Sequence, residues 1–151
     1  MREKLLEDVI KGLWDRGLYV FATHTTPIPE CAKLKVPVMA GNIRQWMGYV
    51  YAADYVLSVD SAAFHFAGGI KKPLVGVFTF CDGKVYGKYY DFTLVQKHRD
   101  NGNWDCGPCY NWPDCPKSAD SLKPCLTELT SEMILDGVDK MLSKYSPNTL
   151  I

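Results

Sequence analysis

The chain has 151 residues, with 17 basic and 17 acidic side chains, 47% hydrophobic and 13% aromatic residues. That is enough apolar material to build a core in a domain of ordinary size, which excludes wholesale disorder. Zero formal net charge excludes the basic excess of a general nucleic-acid or anionic-membrane binder, and no apolar run reaches the roughly 20 residues that cross a bilayer.

From Glu3 to Arg16, the residues Leu5, Leu6, Val9, Ile10, Leu13 and Trp14 recur at helical spacing, with Gly17 as the stop. Leu18–His24 is a short apolar run rich in β-formers and predicts a buried strand. Two prolines make Thr25–Pro29 a loop. Val36–Ala40 predicts a short strand, held to an edge or a strand start by Pro37. Ile43–Ala53 returns to helical spacing through Trp46, Met47 and Val50. Tyr55–Val59 predicts a strand that ends at Asp60-Ser61, an N-cap pair for a helix through Ala62, Phe64, His65, Ala67 and Gly68. Leu74–Phe78 and Phe92–Gln96 predict two more strands. Residues 104–125 have little periodicity, and a last helix is expected over about 130–144, capped by Thr130 or Ser131.

Helices alternate with strands that are apolar throughout rather than period-two, the pattern of a parallel sheet covered on both faces. The fold class is therefore α/β, a Rossmann-like doubly wound parallel sheet in a single domain over 1–151, with a cysteine-rich loop at 104–125. The opening Met1–Asp8 is charged and amphipathic rather than a signal peptide, so a cytoplasmic location is expected.

Ligands of open α/β sheets bind at the carboxyl ends of the strands. The chemically rich junction of this kind is Val59–Ala67. Asp60 ends the strand. Ser61, Ala62 and Ala63 open the helix with free backbone N–H groups that suit a phosphate, and His65 lies one turn on. The plainer reading makes Asp60 a cap and His65 a half-buried helix residue. The aromatic group Tyr86, Tyr89, Tyr90 and Phe92 reads as core and interface, or as a flank for a sugar or base.

Six cysteines are present, Cys31 and Cys81 alone and Cys106, Cys109, Cys115 and Cys125 clustered. In a reducing compartment, clustered thiols point first to a metal. The spacing Cys106-x2-Cys109-x5-Cys115-x9-Cys125 supplies four thiols for a tetrahedral site, with zinc as the default. Reduced cysteines packed as small apolar groups, or cysteines oxidised in pairs, are the alternatives. In each case the loop is architectural, because no water-activating ligand set accompanies it.

The stretch Ala52–Phe78 resembles the signature of glycosyltransferase family 9, which contains the lipopolysaccharide heptosyltransferases. Its pattern is an Ala-Asp strand ending in Asp-Thr-Gly, His four residues on, and a Lys-Pro step into an apolar strand. The tail Cys106-Gly-Pro-Cys…Cys115-Pro…Cys125-Leu resembles that family's cysteine tail and its autotransporter heptosyltransferase branch, in which a four-cysteine finger holds iron. The resemblance implies the donor-binding half of a GT-B transferase. Asp60 would bind sugar hydroxyls, Ser61 and the amides of Ala62 and Ala63 the diphosphate, and His65 would support that contact. The ligand implied is a nucleotide diphosphate sugar of the ADP-heptose type, passed to a lipopolysaccharide-type acceptor. The helix start would stabilise the departing diphosphate, so no cofactor is expected for the chemistry itself.

Against the family pattern, Ser61-Ala62 replaces Thr-Gly and Thr79-Phe-Cys-Asp stands in place of Gly-Pro-Thr, while Gly41 leaves the base open. No residue matches the family's catalytic base, which the resemblance assigns to an acceptor-binding N-terminal domain, so no catalytic residue is assigned in this chain and little activity is expected from it alone. The alternative is a non-catalytic nucleotide-binding or assembly module of the same fold. Self-association is an expectation of both readings.

Overall fold

The computed structural model describes residues 2–96, Cys109 and 124–145. It divides into two compact units, Met1–Asp54 and Tyr55–Ile151. The architecture is mixed α/β with parallel sheets, compatible with a Rossmann-like fold.

In the first unit, α1 (Arg2–Asp15) is followed by β1 (Ala22–Thr23), α2 (Pro29–Lys33), β2 (Val38–Met39) and α3 (Ile43–Ala52). β1 and β2 pair in parallel, Ala22 with Val38 and Thr23 with Met39. The strand expected over Leu18–His24 is thus reduced to two paired residues. Ala22 N–H donates to the Pro37 carbonyl at 2.9 Å, but Pro37 has no N–H to return, so the ladder cannot extend backward. A core of Ile10, Cys31 and Val36 joins α1, α2 and the approach to β2, and burial pushes the Cys31 thiol up. α2 starts with Pro29 in its first turn, where the missing N–H is harmless.

The second unit runs β3 (Val56–Val59), α4 (Ala62–Gly69), β4 (Leu74–Phe78), α5 (Gly83–Tyr86), β5 (Thr93–Gln96), α6 (Pro124–Thr127) and α7 (Ser131–Tyr145). Its sheet is parallel in the order β3-β4-β5, with Val59 opposite Val77 and Phe78 opposite Gln96. Every residue of β4 is buried. Successive strand residues face opposite sides. Accordingly, a Cβ on Gly76 would run into Phe64 of α4, while a Cβ on Gly137 of α7 would run into Val95 and approach Val75. Helices therefore cover both faces of β4, as the apolar sequence predicts. β3 departs from that prediction. Its residues alternate between half-buried and exposed, and Val59 is 61% exposed.

Phe64, fully buried, is the centre of the second core. Its ring meets Phe78 and Phe92 edge-on, each at 5.0 Å between centroids. Ile134, Val138 and Met141 form the buried stripe of α7, which packs on β4 and β5. Thr130 caps that helix, its hydroxyl accepting from Met133 N–H at 3.3 Å.

Three helices end in the same hydrogen-bonded turn. After α1 the bonds run from Gly17 N to Trp14 O and from Leu18 N to Leu13 O. After α2 and α4 the equivalent pairs are Lys35 to Ala32 with Val36 to Cys31, and Lys71 to Gly68 with Lys72 to Ala67. Each is a Schellman motif, which puts the residue past the cap in the left-handed region. Gly17 takes φ +73° there without strain, whereas Lys35 and Lys71 take +57° and +59°. Lys71→Gly is expected to raise the unfolding free energy by about 0.5–1 kcal/mol, read as a higher urea midpoint at unchanged slope.

Candidate functional site

The residues expected to bind a ligand sit together at the carboxyl edge of the second sheet. Asp60 follows the last residue of β3. By register it stands level with Phe78 and Gln96, the last residues of β4 and β5. Ser61 is the N-cap residue of α4, extended at φ −164°, but its side chain makes no capping bond. It lies 2.9 Å from the Ser58 hydroxyl, which donates to the Val59 carbonyl at 2.9 Å. Ser58 has one hydrogen, already given to Val59, so Ser61 is the donor in the pair.

The consequence is an N-terminus left uncapped by its own sequence. At α3 the Asn42 side chain accepts from Arg44 and Gln45 N–H, and Gln45 reaches back to Asn42 N–H, a closed capping box. At α4 the amides of Ala62 and Ala63 make no hydrogen bond among the described residues. The cap read from Asp60-Ser61 is thus a cap in position only. A phosphate contact from the Ser61 hydroxyl itself would require that hydroxyl to turn away from Ser58.

His65 leans back along the helix toward Asp60. Its Nε2 is 3.6 Å from Asp60 Oδ1, with the two side chains 41% and 28% exposed. Its Nδ1 is 3.3 Å from the Tyr90 hydroxyl. The Tyr90 ring stands 5.8 Å from the imidazole, at 66° to it. A Cβ on Gly68, one turn beyond His65, would overlap that ring. Glycine at 68 therefore lets Tyr90 lie on α4.

Two further groups reach the site from the loop after β4. Cys81 is buried, and its thiol hydrogen-bonds the Asp60 carboxylate; the Tyr86 hydroxyl hydrogen-bonds the same sulfur. Burial first, then Asp60 and the nearby Cys109, push the Cys81 thiol up from 9.0 to about 11, with Tyr86 opposing. Cys81 therefore keeps its proton at neutral pH and acts as a donor to Asp60. The loop is pinned by Gln96 at the end of β5, which accepts from Gly83 N–H at 3.1 Å and donates to the Cys81 carbonyl. The Asp82 side chain accepts from Lys84 N–H at 2.9 Å and starts α5.

Asp60, Ser61, Ala62, Ala63 and His65 are thus gathered at one edge. Sequence reasoning missed Cys81 as a contact of that site, and left Tyr90 undecided between core and ligand flank. The available signal was positional. Parallel strands end on one edge, so the residues just past Phe78 had to lie near those just past Val59. Of the expected metal ligands, Cys106 and Cys115 lie outside the described residues. Cys109 and Cys125 are half-buried and form no disulfide among the described residues. No group of three or more potential metal ligands occurs among the described residues.

The first unit holds a separate cleft of about 260 Å³ beside the carboxyl ends of β1 and β2. His24, Thr26, Ile28, Val36 and Val38 contribute to its lining. Thr26 N–H donates to His24 Nδ1 at 3.1 Å, which leaves the ring proton on Nε2.

Compared with known protein families, with curated proteins and with solved structures, the chain matches none. No helix among the described residues is long and apolar enough to cross a membrane.

The thiol chemistry is open to direct measurement. Two pKa units lower the thiolate fraction of Cys81 about 100-fold below that of an ordinary thiol at neutral pH. Site-resolved iodoacetamide labelling should therefore find Cys81 at least that much slower than an exposed cysteine peptide, accelerating as pH rises toward 11. Labelling at the ordinary rate would show that the thiol is not held by Asp60.

Proposed function

We propose that the chain is the donor-binding part of a glycosyltransferase of the GT-B, heptosyltransferase-like kind, and that the β3–α4 junction binds a nucleotide diphosphate sugar. The observation that carries this reading is the uncapped start of α4, flanked by Asp60 and His65, in a protein whose α3 is closed by a full capping box. Two residue-level arguments, the resemblance of Ala52–Phe78 to the family signature and the electrostatics of a helix start, converge on the same five positions.

The chemistry follows from those groups. A diphosphate at α4 meets the amides of Ala62 and Ala63 and the positive end of the helix dipole. Asp60, an acceptor whose carboxylate is already oriented by Cys81, takes hydroxyl protons from the sugar. His65 stands on the phosphate side of the same junction. As the bond between the sugar and the diphosphate breaks, charge grows on the diphosphate, and the oriented amides stabilise it where it develops. The resemblance assigns the base that activates the acceptor hydroxyl to another domain, so this chain by itself is expected to bind donor with little turnover.

Titration calorimetry with ADP, UDP and GDP tests the reading. At least one is expected to bind, with affinity reduced tenfold or more in both Asp60→Ala and His65→Ala. A heat signal unaffected by either substitution, or silence with all three, would sink the donor-site reading and favour a non-catalytic assembly module.

The four-cysteine tail belongs to the same proposal as an architectural metal site. Cys109 and Cys125 form no disulfide among the described residues, which leaves their sulfurs as donors that suit zinc or iron. Elemental analysis is expected to find about one equivalent of zinc or iron, lost in Cys106→Ser and Cys115→Ser. Stoichiometric disulfides by mass spectrometry would overturn it.

A further inference from the structure

We infer that Tyr90 is a positioning residue for His65, setting the imidazole tautomer so that a donor, not a lone pair, faces the ligand edge of α4. The inference rests on the diphosphate reading for its purpose, but its geometry stands within the second unit alone.

The two nitrogens of His65 have different neighbours. Nε2 looks toward a carboxylate oxygen of Asp60 at 3.6 Å, and a carboxylate, which can only accept, favours a ring proton on that nitrogen. Nδ1 faces the Tyr90 hydroxyl at 3.3 Å. With the proton on Nε2, Nδ1 is an acceptor, so Tyr90 donates to it. The proton state of one nitrogen is fixed by the bond the other makes. Tyr90 thereby completes what Asp60 starts. In the opposite tautomer, Nε2 would turn a lone pair toward Asp60 and toward any incoming phosphate, and both contacts would repel.

The surroundings hold Tyr90 at this task. Its ring lies over Gly68, where any side chain would displace it, and meets Phe64 edge-on at 5.6 Å. Its backbone N–H donates to the Gly87 carbonyl at 2.9 Å, closing the turn that follows α5. The ring is fixed by packing, and the hydroxyl is the part left to act on His65. Tyr90→Phe therefore removes the bond while keeping the packing.

The test is long-range 15N–1H NMR of the imidazole rings of the whole chain, at a pH where imidazoles are neutral, with His65→Ala identifying the His65 signals. The wild type is expected to show His65 protonated at Nε2. Tyr90→Phe is expected to show a mixture of both tautomers and an ADP affinity about fivefold weaker, the effect of one hydrogen bond. A tautomer unchanged by Tyr90→Phe, or a wild type protonated at Nδ1, would overturn the inference. So would unaltered ADP affinity in the variant despite a tautomer shift. If the tautomer shifts but the wild type binds no nucleotide, the orienting role of Tyr90 stands and the diphosphate reading falls.

Discussion

The second unit depends on one close approach, the ring of Phe64 against the bare backbone of Gly76. Phe64 lies in the first turn of α4 and Gly76 in the middle of β4, so the absence of a side chain at 76 sets how deep α4 can sit on the sheet. With Phe78 and Phe92 closing on the same ring, the helix start cannot slide along the strand. Burying a phenylalanine of this kind contributes about 1.5–3 kcal/mol. The geometric consequence matters more than the energy. The amides of Ala62 and Ala63 are held at the carboxyl edge of the sheet, beside Asp60, by the residue next to them in sequence.

Around that anchor the site is built from indirect supports. Gln96 ties the loop after β4, the loop carries Cys81, and Cys81 bonds Asp60. On the other side Gly68 admits Tyr90, and Tyr90 reaches His65. The two polar side chains most exposed to a ligand are thus each oriented by a group behind them. Such preorganisation lowers the cost of binding, because fewer rotamers remain to be ordered when the ligand arrives. Ser61 contributes by omission. Its hydroxyl is engaged with Ser58, and the helix start that it would otherwise cap stays open.

Apolar composition was a better guide to strands than to their covering. Leu74–Phe78 reads as a buried strand and is one, because β4 has a strand on each side and a helix on each face. Tyr55–Val59 reads the same way, yet β3 stands at the end of the described sheet and leaves Val59 exposed. Leu18–Phe21 has strand-forming residues but no ladder, since its neighbour across the sheet is interrupted at Pro37. Short helices such as Pro29–Lys33 and Gly83–Tyr86 are too brief for periodicity to reveal, and each is specified by its first residues instead.

What the sequence by itself determined is local: the Asp60–His65 junction, the glycine that ends α1, the apolar stripe of α7, and the alternation that makes the sheets parallel. These are legible because backbone propensity, capping chemistry and helical spacing act over a few residues. What only the tertiary structure decided is which distant side chains complete the junction. Cys81, Tyr86 and Tyr90 lie 20 to 30 positions from Asp60 in the chain, and nothing in their own neighbourhood marks them. They converge on it because parallel register aligns the ends of β3, β4 and β5 in one row, so whatever follows each strand is delivered to the same edge.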